Sequence, residues 1–174
     1  MIDTYKYDNL INEENIPTSV QISNNFKLID FLATSDKIIK IIPQMGLSYG
    51  QIIQNLQYLA VNIAEQVITI YPEMKITSGY RYQIGNSLSK HFYGMAIDLQ
   101  FNGRNPEDYY DIAVAIAKLL PTYDQILLNY NNFGSQIPSI HLAYNKDNNR
   151  REVLTLYNGA VAYQGLAKLK WVFT

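Results

Sequence analysis

The chain of 174 residues has two histidines, His91 and His141, and no cysteine. Disulfides, thiolate metal sites and cysteine nucleophiles are therefore excluded. A lone histidine is most often a satisfied structural side chain, and that alternative stands beside any reading as a ligand. His91 lies in Ser89-Lys90-His91-Phe92-Tyr93-Gly94-Met95-Ala96-Ile97-Asp98, and His141 in Ser139-Ile140-His141-Leu142-Ala143-Tyr144. Residues 95–101 alternate, with Met95, Ile97, Leu99 and Phe101 on one face and Ala96, Asp98 and Gln100 on the other. Around the second histidine, Ile140, Leu142 and Tyr144 take the core face, which turns His141 the other way, between Ser139 and Ala143. Two strands thus present histidine or carboxylate on a polar face beside small residues, leaving room for a metal and a substrate. Two imidazoles and one carboxylate leave zinc an open fourth position, the pattern of a catalytic rather than a closed structural site.

The elements that must position these side chains can be read from periodicity and punctuation. Residues 26–33 carry Phe26, Leu28, Ile29, Phe31 and Leu32, which suits a short helical turn or two. Ser35-Asp36 caps a second short helix holding Ile38, Ile39, Ile41 and Ile42, broken by Pro43 and Gly46. Ser48 with Gln51 fits a capping box, and Ile52, Leu56, Leu59, Ile63, Val67 and Ile70 follow as a helical stripe ended at Tyr71-Pro72. Residues 75–78 read as a short strand running into Gly79. Asn105-Pro106 opens a helix with proline at its first position, and Pro121 stops it. Residues 124–130, 139–144 and 151–157 read as strands between Asn/Gly-rich turns, while 160–174 is ambiguous. Helices first and strands later argue for an α+β fold, with helices packed on a small antiparallel sheet.

Composition narrows the function classes. Hydrophobic residues make up 48% and charged residues 17%, the balance of a globular domain. Fourteen Lys and Arg against 15 Asp and Glu give a net charge of −1, which argues against a nucleic-acid partner. No apolar run is long enough for a membrane span. The opening MIDTYKYDNL lacks a basic start and an apolar stretch, so no secretory signal is expected. Residues 1–25 are polar and unpatterned and read as an N-terminal arm, with 26–174 as a single domain. The 15 tyrosines, with frequent Ile and Asn, suit an AT-rich genome such as that of many phages.

Ser-x-His-x-x-Gly-x-Ala-x-Asp at 89–98, preceded by Thr77-Ser78-Gly79-Tyr80-Arg81 and followed by the Ile-His-Leu strand, resembles the zinc D-alanyl-D-alanine carboxypeptidases. That family includes phage peptidoglycan endopeptidases and has a hedgehog-like fold. The likeness runs from about residue 26 to 155 and includes the Asn55-Leu56 helix, Tyr123-Asp124-Gln125 and the Asn149-Arg150 turn. It implies that His91, Asp98 and His141 ligate zinc. It implies that Arg81 holds a substrate carboxylate or polarises the scissile carbonyl, and that Ser89 bonds substrate or steadies its loop. A structural ion pair is the alternative for Arg81, and a simple turn residue for Ser89.

The chain departs from the family where the general base belongs. Relatives place a glutamate shortly before the last histidine, at positions occupied here by Pro138 and Asn129. No Asp or Glu lies between Asp124 and His141. An amide at Asn129 can hydrogen-bond but cannot accept a proton at neutral pH. Asp124, Glu73 and Glu152 are the candidates for a displaced base, each with a structural alternative. Two functions follow, and beside them stands a third, a module that holds peptidoglycan stem peptides without cutting them. One is a zinc peptidase acting on peptidoglycan stem peptides. The other is an inactive peptidase fold serving in a phage tail or baseplate, docked on other virion proteins through residues 1–25.

Overall fold

The computed structural model describes residues 19–32, 41–82, 88–130 and 137–169. After a 3₁₀ turn at Leu28–Phe31 come helix α1 (Tyr49–Leu59), a π turn (Ala60–Ala64) and α2 (Glu65–Ile70), which run on without a break. Strand β1 (Met74–Ser78), a second 3₁₀ turn (Lys90–Tyr93), β2 (Ala96–Phe101) and helix α3 (Asp108–Leu119) follow. The chain continues through β3 (Gln125–Tyr130), β4 (Ser139–Ala143), β5 (Glu152–Tyr157) and β6 (Ala160–Gln164). The six strands form one sheet in the order β1-β2-β4-β3-β5-β6.

The α+β class holds, but the sheet is not purely antiparallel. β3 and β5 pair in parallel, with Leu127 beside Leu154 and Asn129 beside Leu156. The cause is topological. β4 lies between β2 and β3, so neither of its edges is free when β5 arrives. β5 takes the outer edge of β3 and runs opposite to β4, so it lies parallel to β3. The connection is held by Asp124, whose carboxylate accepts hydrogen bonds from the Arg150 backbone at 3.2 Å and from its guanidinium at 2.8 and 3.0 Å.

The capping box forms as expected: Ser48 Oγ accepts from the Gln51 backbone, and Gln51 Oε1 accepts from the Ser48 backbone. Ile52, Leu56, Leu59, Ile63 and Val67 are fully buried on the helix-facing side of the sheet, against Ile97, Leu99, Ile126, Leu128, Ile140 and Leu142. Each such side chain contributes about 1.5–3 kcal/mol of apolar burial. Ile70, expected on the same stripe, is 42% exposed. The π turn takes up more residues per turn and rotates the last stretch of helix away from the core. Helix α3 begins at Asp108, two residues later than the Asn-Pro signal suggests. Asn105 and Pro106 form a preceding turn, closed by Asp108 N–H to Asn105 O and by Asn105 N–H to Asp108 Oδ2.

Within the expected arm, residues 19–25 belong to the folded body. Ile22 is 1% exposed, Gln21 bridges to Lys27, and Glu65 accepts hydrogen bonds from the backbone and side chain of Asn25 at 2.6 Å each. Residues 1–18 and, of the helix expected from Ser35, all but Ile41 and Ile42 lie outside the described residues; those two are not helical. Of the ambiguous 160–174 stretch, residues 160–164 form the edge strand β6.

Candidate metal centre

The sheet has one face toward the helices and one face left for the site. Strand register sets three rows of side chains on that second face. The middle row runs Asp98, His141, Leu127 and Leu154 across β2, β4, β3 and β5. On one side of it stand Ala96, Ala143 and Gln125, and on the other Gln100, Ser139 and Asn129. The small neighbours read from the sequence are therefore real and lie beside the histidine–aspartate pair.

His91 reaches this row from the 3₁₀ turn at Lys90–Tyr93, and the turn is held from several directions. Gly94 ends it with φ of +68°, a left-handed value suited to glycine. Asn55 of α1 donates to Tyr93 O at 2.9 Å, and Gln44 donates to both Phe92 O and Arg81 O. Gly79 permits a still closer approach. A Cβ there would stand 2.0 Å from the carbonyl oxygen of Phe31, so only glycine lets β1 run on against the first 3₁₀ turn. The Gly79 carbonyl in turn accepts from His91 Nδ1 at 2.7 Å. That bond places the proton on Nδ1 and leaves the Nε2 lone pair aimed at the cluster, the usual way a protein presets a histidine ligand.

His91 Nε2, Asp98 Oδ1 and His141 Nδ1 form a small triangle. Its sides are 3.2 Å between the imidazoles, 3.3 Å from His91 to Asp98 and 2.8 Å from His141 to Asp98. A tetrahedral zinc with bonds of about 2.0–2.1 Å separates its ligand atoms by about 3.3 Å. Two of the three sides match that edge, and the third closes to a hydrogen bond. The three residues can hold a metal ion, and a donor set of two imidazoles and one carboxylate fits zinc.

Charge states suit the same purpose. Burial alone would raise the Asp98 carboxyl, but its contacts with His141 and His91 outweigh it and hold the group far below the ordinary carboxylate range. Burial pushes His141 down, and the pull of Asp98 only partly offsets it. An ionised carboxylate beside a neutral imidazole is the state a metal requires. The second Asp98 oxygen is engaged by Arg81, with Nη2 to Oδ2 at 2.6 Å, while Arg81 Nε donates to Ser78 Oγ at 2.7 Å. Arg81 is thus an orienting partner of the ligand carboxylate, with 43% of its side chain exposed.

The triangle opens into a cleft of about 490 Å³ lined also by Arg81, Ser89, Lys90, Asn129 and Arg150, with Leu127 and Leu156 as its apolar floor. Ser89 and Asn129 therefore share the cleft with the three ligand candidates. Ser89 precedes the 3₁₀ turn, and its carbonyl accepts from Phe92 N–H. Asn129 Oδ1 is buried and has no hydrogen-bond partner among the described residues.

None of the displaced-base candidates lines this cleft. Asp124 is buried and tied to Arg150, with Lys90 Nζ at 3.8 Å. Glu152 pairs with Gln125 and with Arg150 at 3.4 Å. Glu73 bonds Arg104 at 2.7 Å, near the Met74–Phe101 pairing and thus at the opposite end of β1 from the Ser78–Asp98 pairing. Among the described lining residues, Asp98 is the only carboxylate. The positioning roles of Gln44 and Asn55 escaped the sequence reading. Asn55, a polar residue next to the apolar stripe, was the one signal available.

No family model, no curated protein and no solved structure matches the chain. No helix among the described residues is long and apolar enough to cross a membrane.

Proposed function

We propose that this chain is a zinc-binding, peptidase-like domain of the D-alanyl-D-alanine carboxypeptidase type that engages peptides of the bacterial cell wall. The observation that carries the proposal is the triangle of His91 Nε2, Asp98 Oδ1 and His141 Nδ1, in the order and motif spacing of that family. Zinc supplies Lewis acidity, acidifying water and polarising a carbonyl. The chain's own residues contribute the rest. Gly79 O and Arg81 orient two of the ligands, and Lys90, Arg81 and Arg150 give the cleft rim a positive charge.

Proton transfer is the missing function. Asn129, which with Pro138 occupies the positions where the resemblance puts the family's glutamate, lines the cleft, and an amide takes no proton. General base catalysis is worth typically about 10²–10⁴-fold, so hydrolysis by the natural protein is slower by that order. Asn129→Glu should raise hydrolysis of purified peptidoglycan, in a chelator-sensitive way, at unchanged zinc content. Brisk chelator-sensitive hydrolysis by the unmodified protein would instead show that another group supplies the base. That Asp98 is the one carboxylate among the described lining residues also favours a second reading: an inactive fold kept as a structural part of a phage tail or baseplate. Zinc bound in both proteins with no cleavage by either would select it.

A further inference from the structure

The open face of the sheet is divided between charged and apolar side chains. The charged groups of the cleft gather at one side: Lys90 and Arg150 meet at Asp124, at the start of β3, and Arg81 comes from just beyond β1. The other side is apolar. Leu127 follows His141 in the middle row, and Leu154 follows Leu127. In the neighbouring row Asn129 pairs with Leu156, which pairs in turn with Val161 on β6. Paired residues share a face of the sheet, so Leu127, Leu154, Leu156 and Val161 make one apolar ramp that leaves the metal centre toward β6.

The ramp is reachable from the cleft. Leu127 and Leu156 are half-buried and line the cavity, Val161 is 53% exposed, and Leu88 stands on the cavity wall at 80% exposed. Accessible apolar groups that run on from a few convergent polar ones are the make-up of a ligand groove. That continuity sets the occupant. His141 stands one strand, about 4.8 Å, from Leu127. An aliphatic side chain spans that gap from a backbone carbonyl held at the His91–Asp98–His141 centre. A charged side chain laid there would exchange water for leucine with no partner to offset the loss.

We infer that the cleft selects a peptide with an uncharged aliphatic side chain beside the carbonyl at the metal centre, and that Leu127 and Leu156 are the specificity-determining residues that receive it. The inference rests on the metal reading above and adds the ligand class.

The test uses the zinc-loaded full chain and four straight-chain hydroxamic acids, whose common head binds zinc. Three carry acetyl, butyryl and hexanoyl chains, and the fourth is the hexanoyl chain ended by an ammonium group. Affinity is measured by calorimetry, and zinc content is measured separately for each protein. In the natural protein affinity should rise roughly twofold per added methylene, because an open floor captures about half the free energy of full burial. The hexanoyl probe should thus bind roughly tenfold more tightly than the acetyl one, and the ammonium-ended probe should lose that gain. Leu156→Asn should cut the hexanoyl-to-acetyl ratio to about threefold or less, while Leu156→Met, which keeps an apolar side chain, should retain it. Ile70→Asn, which removes an exposed aliphatic group from the helix layer, should leave the ratio unchanged. Failure of the natural protein to take up zinc, or zinc uptake with no probe bound, would overturn the metal reading and the apolar subsite together. Zinc uptake with equal affinity for all the probes, or a ratio that survives Leu156→Asn, would overturn the apolar subsite alone.

Discussion

The two oxygens of Asp98 face different partners, and this divides the labour at the residue scale. Oδ1 joins the imidazoles, while Oδ2 takes the Arg81 guanidinium. Arg81 was expected to meet substrate directly. Its geometry makes it first a brace for the ligand carboxylate, leaving only part of its fork for anything in the cleft. The two kinds of residue should separate on substitution. Arg81→Ala should weaken zinc binding by roughly 10–100-fold, the usual cost of losing an outer partner of a metal ligand. His91→Ala should cost more, since two donors remain where three stood. Competition against a chromophoric chelator measures both. Equal zinc affinity in the natural protein and His91→Ala would remove His91 from the donor set.

At the element scale, the site depends on connections that hold strands and turns in place. Gly79 touches both layers of this support. Its missing side chain admits the Phe31 carbonyl, which accepts from Tyr80 N–H at 2.7 Å, and its own carbonyl presets His91. Gly79→Ala should therefore destabilise the fold by about 1–3 kcal/mol or more, because the obstacle is backbone that cannot turn aside. Asp124 staples the β4–β5 connection. Burial alone would raise its carboxyl, but the Arg150 side chain and backbone, with Lys90, outweigh that and lower it. A group lowered in the folded state contributes stability that is present above its unfolded value, about 3.9, and lost as pH falls through the folded one. Asp124→Asn should thus cost about 1–3 kcal/mol near pH 7, with the gap to the natural protein closing below about pH 4. Denaturant unfolding at several pH values measures it, and a gap that widens in acid would refute the assignment.

These same elements show what a sequence can and cannot disclose. Alternation at 95–101 and 139–144 placed Asp98 and His141 on the open face, because a strand's side-chain period is local and strict. The Ser48 capping box was local too. The parallel β5, the staple at Asp124 and the contact at Gly79 each depend on partners 26 to 48 positions away, which no local pattern encodes. The π turn that exposes Ile70 lies inside an apolar stripe whose spacing looks unbroken.

At the scale of the whole molecule, the candidate metal ligands and the core lie on opposite faces of one sheet. Ile97, Leu99, Ile140 and Leu142 are fully buried against the helices, while Asp98 and His141 alternate with them on the other side. The core therefore closes without calling on these side chains, and an ion bound at them would act on stability by mass action rather than as a folding nucleus. A ligand that binds only the folded state stabilises by about 2.7 kcal/mol when its free concentration is a hundredfold above Kd. For a chain of this length that amounts to a rise in Tm of about 5–10 °C. Zinc should produce it, a chelator should reverse it, and His141→Ala should abolish it while leaving the metal-free Tm within a few degrees. Magnesium should leave Tm unchanged, since it demands a shell of oxygen ligands and two of these donors are imidazoles. A metal-free protein that does not fold would show that the ion helps to build the sheet. An equal shift with magnesium would show that the binding site lies elsewhere.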